Sequence, residues 1–156
     1  MTGHLQASLW VLLLTSATLF WVALTDFRKF KIPNGAIVTL AICYFLFAIV
    51  SGRWASVAWN VGFAALMLSG MIYIYITDKM GGGDLKLLAV AFLWTGPWLV
   101  MPFAVLLLIF IGIHYLAVRF GWATAVQTPA GRRIPLAPSV AGALISTFAL
   151  GFIAPN

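Results

Sequence analysis

An all-α fold of about six membrane-spanning helices, forming one domain over residues 1–156, is predicted by three features of this chain. Hydrophobic residues make up 63% of it and charged residues only 8%, for a mean hydropathy of +1.08. The apolar residues fall in long runs separated by short polar turns, and the basic residues gather in alternate turns. A soluble domain of this length cannot hide so much apolar surface, because its surface-to-volume ratio is too high. In hydrocarbon every backbone polar group needs an internal partner, so the spans are expected to be helices.

Bilayer hydrocarbon is about 30 Å thick, so a span needs roughly 20 mostly apolar residues. Six runs approach that length: residues 7–25, 35–51, 57–77, 85–93, 98–118 and 136–154. Ahead of the first stand only Thr2, His4 and Gln6, and its basic cluster follows it. A cleaved signal peptide has the reverse order, so the first run reads as a retained helix. Pro33 and Asn34 are expected to set the turn into the second helix and to cap it. The fourth run is short, and Gly96-Pro97 should turn the chain into the fifth. Inside the spans, Asn60 and His114 read as hydrogen bonders between helices, and Gly62, Gly70, Gly112 and Gly142 as points of close helix contact. Cys43, the single cysteine, reads as a packing or lipid-facing residue, and no CxxC or Cys/His cluster suggests a metal. The loop from Arg119 to Pro135 is too short to fold as a soluble domain.

The net charge of +6 reads as topology rather than nucleic-acid binding. Arg28, Lys29 and Lys31 follow the first run, Lys79 and Lys86 the third, and Arg119, Arg132 and Arg133 the fifth, leaving only Arg53 in an even-numbered loop. This positive-inside pattern predicts that those loops face the cytoplasm and that both termini lie outside. It also predicts contact with anionic phospholipids of the inner leaflet. Trp54, Trp59, Trp94, Trp98 and Trp122 are expected at the membrane interfaces.

The acids are three: Asp26, Asp78 and Asp84, with no glutamate. Each falls at the cytoplasmic end of an expected span. Asp78, beside Lys79, reads as a solvated or lysine-paired acid. Asp84 opens a helix, where the dipole favours a carboxylate, and it follows Gly81-Gly82-Gly83. Three glycines allow positive φ and close approach of another backbone. They do not match the phosphate-binding spacings GxxxxGK[ST] or GxGxxG. What remains is a loop where a peptide could lie against Asp84. Asp26 lies on the same side of the membrane, and helices packed at roughly 8–10 Å could bring the two acids together. Two such carboxylates resist double ionisation and share one proton. The neutral acid can then polarise a peptide carbonyl while the ionised one takes a proton from water. This is aspartyl-protease chemistry, and it calls for neither metal nor cofactor.

The motifs around these acids resemble a known family. GGGD at 81–84 is similar to the GxGD motif of intramembrane aspartyl proteases. DFRKFKIPN at 26–34 and GGGDLKLL at 81–88 resemble the D-x-R-x-x-x-I-P-N and G-x-G-D-x-K-L segments of bacterial type IV prepilin peptidases, and IPLAPSVAGA at 134–143 resembles their approach to the last helix. The resemblance implies that Asp26 and Asp84 form the catalytic pair. It implies a prepilin or pseudopilin substrate, with a basic leader and a hydrophobic helix, cut at the cytoplasmic face of the inner membrane. The chain lacks the cysteine-bearing amino-terminal domain of the long family form and is similar to the short form linked to Flp-type (Tad) pili. Peptidase activity without N-methylation is therefore expected.

Arg28 and Lys86, two residues after each acid, could stabilise the pair, read an acid in the substrate, or contact lipid phosphate. Alternatives to this reading are a GxGD protease of the signal-peptide-peptidase type, a catalytically dead assembly partner, and a small ion-coupled carrier. The first carries Tyr before its first acid where this chain has Thr25. The carrier calls for acids near mid-membrane.

Overall fold

The computed structural model describes residues 2–77, 80–121, 126–128, 131–133 and 135–150. Asp78, Lys79, Trp122 and the end of the sixth expected span, beyond residue 150, lie outside these. The architecture is all-helical: α1 (Thr2–Lys29), α2 (Asn34–Val50), α3 (Trp54–Ile76), α4 (Gly82–Arg119) and α5 (Ala137–Ala149). A small antiparallel hairpin, β1 (Val126–Thr128) with β2 (Gly131–Arg133), precedes α5 and pairs Val126 with Arg133. Three helices, α1, α3 and α4, are long and apolar enough to cross a membrane, whereas α2 and α5 are shorter apolar helices.

Polar residues sit comfortably in α1 because their hydroxyls bond back along the helix. Thr15 Oγ1 donates to Val11 O at 2.8 Å and Ser16 Oγ to Leu12 O at 2.8 Å, so these hydroxyls are not left bare in an apolar setting. α2 ends in a Schellman turn: Gly52 takes φ +70°, and Arg53 N–H reaches Ala48 O at 3.0 Å. Only glycine adopts that conformation without strain.

The fourth and fifth expected spans form one continuous element, α4, broken at Gly96 (φ 58°, ψ −170°). That region is essentially reserved for glycine. The break is sharp, since the rings of Phe92 and Phe103 lie 6.1 Å apart, whereas eleven residues of straight helix would separate them by roughly 16 Å. Pro97 has no N–H, so the carbonyl of Leu93 loses its usual donor. Asn60 on α3 replaces it, with Nδ2 donating to Leu93 O at 3.2 Å. Asn60 is thus the interhelical bonder the sequence predicted. His114 is not, because its Nε2 is buried without a partner.

The core is formed by Leu19 and Val22 of α1, Leu40 and Phe47 of α2, Leu87 and Ala91 of α4, and Val140 and Leu144 of α5. Cys43 is buried within it. Trp94 departs from its expected interfacial place: it is buried, and its Nε1 donates to Leu40 O at 3.1 Å. Of the four glycines expected at close contacts only Gly142 makes one, against the Phe110 ring, while Gly62, Gly70 and Gly112 have open space beside them. α3 buries no residue and packs on α4 and, more lightly, α2. α5 packs on both α1 and α4.

Candidate active site

Asp26 lies in the last turn of α1 and is only 5% exposed. Its partner comes from the far end of the chain. The first N–H groups of a helix have no intrahelical acceptor, and Ala137, which opens α5, donates its N–H to Asp26 Oδ2 at 3.2 Å. The carboxylate therefore caps a helix 111 residues away in sequence. The positive end of the α5 dipole favours it there.

Asp84 stands in the first turn of α4. The expected glycine loop is shorter than its sequence suggests. Gly82 and Gly83 are already helical, and Gly81 is the N-cap with φ −73° and ψ 143°. None of the three uses positive φ. They serve close approach instead. A Cβ on Gly81 would stand 3.1 Å from Asp84 Oδ2, one on Gly82 3.3 Å from Tyr75 Cε2, and one on Gly83 3.2 Å from Ile32 Cβ. The glycines thus let the start of α4 settle against α3 and against the α1–α2 connection.

Both acids line one cavity of about 670 Å³. The other residues around it are Phe30, Lys31, Ile32, Asn34, Met80, the three glycines, Lys86, Pro135 and Leu136. Asp26 and Asp84 do not meet on two packed helices, as the sequence suggested. Among the described residues, α1 and α4 share no backbone contact, and α2 and α5 join them. The acids line a common space while both α2 and α5 pack on α1 and α4.

Lys86 is at the cavity, where its Nζ donates to Asn34 Oδ1 at 3.0 Å. Asn34 therefore ties α2 to α4, and no side chain caps the α2 amino terminus. That cap is Pro33, in extended conformation, whose carbonyl accepts from Ala36 N at 3.1 Å. Pro33 shapes the turn and is not at the cavity wall. Arg28 is exposed and also outside the wall. The sequence reading assigned no role to Phe30, Met80, Pro135, Leu136 or the Ala137 N–H. A peptide N–H belongs to no residue type, and only the placement of α5 reveals its use. Among the described residues, no three His, Cys, Asp or Glu side chains gather as a metal site would require.

A second cavity, of about 240 Å³, lies around the Gly96 break, between Tyr44, Arg53, Asn60, Trp94 and Trp98. It holds neither acid.

Comparison with curated proteins and with solved structures gave no significant match. Residues 13–117 match the model of the type IV leader peptidase family, and they include both acids, the IPN turn and the glycine triplet. The chain belongs to the type IV leader peptidase family, a family of peptidases that act on prepilins.

Proposed function

We propose that this peptidase is an aspartic endopeptidase that removes the basic leader of a Flp-type prepilin or pseudopilin, with Asp26 and Asp84 as its catalytic pair. The observation that carries this reading is their shared cavity: two of only three acids, 58 positions apart in sequence, line one space. One neutral carboxyl polarises the scissile carbonyl. The other, ionised, takes a proton from water as it attacks, and the amine leaves with a proton from the pair. The proton belongs to the pair rather than to either acid. The Ala137 N–H fixes the orientation of Asp26, and the compact glycine turn leaves Asp84 accessible to a substrate backbone. Lys86 and Lys31, at the cavity, and Arg28 nearby supply positive charge for a substrate acid or for lipid phosphate.

In this reading the chain lies in the bacterial inner membrane, with six helical segments spanning it. The cavity faces the cytoplasm, both termini lie outside, and anionic lipid contacts the basic loops. The chemistry needs no cofactor, and no N-methyl transfer accompanies it. The test is leader removal from a co-expressed prepilin. Asp26→Asn and Asp84→Asn should each insert normally and abolish cleavage. Near-wild-type processing by either variant would refute the pair.

A further inference from the structure

Phe30 has a backbone that its side chain should oppose. Among the described residues it is the one non-glycine with positive φ, at 50°. It follows the last turn of α1, where its N–H closes a 2.8 Å bond on Asp26 O. A helix ending this way ordinarily places Gly or Asn at that position, because the Cβ of other residues crowds the backbone. Here the position carries a phenyl ring. The ring is only half-buried and is not part of the hydrophobic core. It lines the cavity shared by Asp26 and Asp84, beside the apolar groups of Ile32, Met80 and Leu136.

A residue in a sparsely populated conformation persists when its surroundings hold it there, and such residues cluster at functional sites. The fold would be served as well or better by glycine at position 30. What glycine would remove is the ring in the cavity.

We infer that Phe30 is a specificity-determining residue: its ring is the apolar surface against which a large apolar substrate side chain beside the scissile bond rests. The inference deepens the peptidase reading and depends on it. The phenyl group and the α1 carboxylate sit four residues apart, across one turn closed by the Phe30–Asp26 backbone bond. The ring and the reacting carbonyl are therefore held in fixed register.

The experiment uses the full-length protein in detergent micelles and two peptides, each a basic leader joined to a hydrophobic helix. One carries large apolar residues flanking the cleavage position, the other alanine. Phe30→Gly relaxes the turn, so its melting temperature should equal or exceed that of the wild type. Its kcat/KM on the first peptide, taken relative to that on the alanine peptide, should fall by about tenfold or more. The preference between the two thus collapses, and Phe30→Leu restores most of it. If Phe30→Gly keeps the wild-type preference, or loses both peptides equally, the inference is overturned while the peptidase reading stands. If folded wild-type protein cuts neither peptide, both are overturned.

Discussion

At the Gly96 end of the molecule the polar side chains surround a small cavity of about 240 Å³ without an acid, whereas at the Asp26 end they surround a larger one that both Asp26 and Asp84 line. Asn60 supplies the donor that Pro97 lacks, Trp94 holds the Leu40 carbonyl, and the Arg53 guanidinium lies 5.9 Å from the centre of the Phe47 ring. Those groups are spent on holding the fold. Asp26, which caps α5, and Asn34 and Lys86, which join α2 to α4, hold the fold as well, and with Asp84 they line the cavity of about 670 Å³. Glycine marks both ends and does different work at each. Gly96 is needed for its backbone angles, and an added Cβ there would land on the Asn60 amide oxygen. Gly81, Gly82 and Gly83 have ordinary angles and are needed for space. One end turns the chain at a single strained position, and the other brings α4 close to its neighbours beside the two acids.

Substitutions at the two ends should therefore separate stability from activity. The largest loss of stability is expected from Gly96→Val, which strains the backbone by roughly 1–3 kcal/mol and displaces Asn60. Leaving the Leu93 carbonyl unpaired adds roughly 1–3 kcal/mol. Thermal unfolding in detergent should show a clear drop, and an unchanged midpoint would break the comparison. At the other end, Gly83→Ala should do the reverse. Alanine favours a helix interior over glycine by about 1 kcal/mol, and the close Ile32 Cβ offsets that gain, so stability should change little. Its methyl must displace Ile32 at the cavity wall, and a small misplacement there should lower cleavage by about tenfold. A Gly83→Ala variant with full activity would show that the close approach is incidental. The smallest effect is expected from the Lys86–Asn34 bond, which is exposed and contributes about 0.5 kcal/mol. A double-mutant cycle of Lys86→Met with Asn34→Ala measures it, and a coupling near zero would reduce the bond to a surface contact.

Much of the fold was legible because apolar runs and turn residues act locally. Among the described residues each of the six runs overlaps a helical segment, counting residues 82–95 and 97–119 of α4 separately, while three helices are long and apolar enough to cross a membrane. Gly96-Pro97 was read as a turn, and the chain bends there. Helix ends were less legible. α4 begins three residues before residue 85, because glycines can continue a helix as readily as leave one, and neighbouring contacts decide. Trp94 and the glycines at 62, 70 and 112 were misread for a related reason: an indole or a glycine shows its use only when its neighbour is known.

Within the site, Asp26 and Asp84 stood out by scarcity, by position at span ends and by the motifs around them. Asn34, Lys86 and the three glycines around them also carry motif positions, whereas the apolar residues of the cavity stood out by nothing of the kind. Phe30 and Leu136 look like any other apolar residues in a chain that is 63% hydrophobic. Arg28 matched a motif yet is exposed and outside the cavity wall, since a pattern along the chain does not fix which side chains line a cavity.

The amino-acid sequence by itself determined that this protein belongs among lipids, where its helices run, and which carboxylates stand at helix ends within the family's motifs, because hydropathy, glycine and proline, and charge act over short distances along the chain. Only the tertiary structure decided that α5 packs on both α1 and α4, that its first N–H caps Asp26, and that both acids open on one cavity. Those facts depend on how helices from distant parts of the chain pack, and that packing is settled by the fit of all their surfaces together.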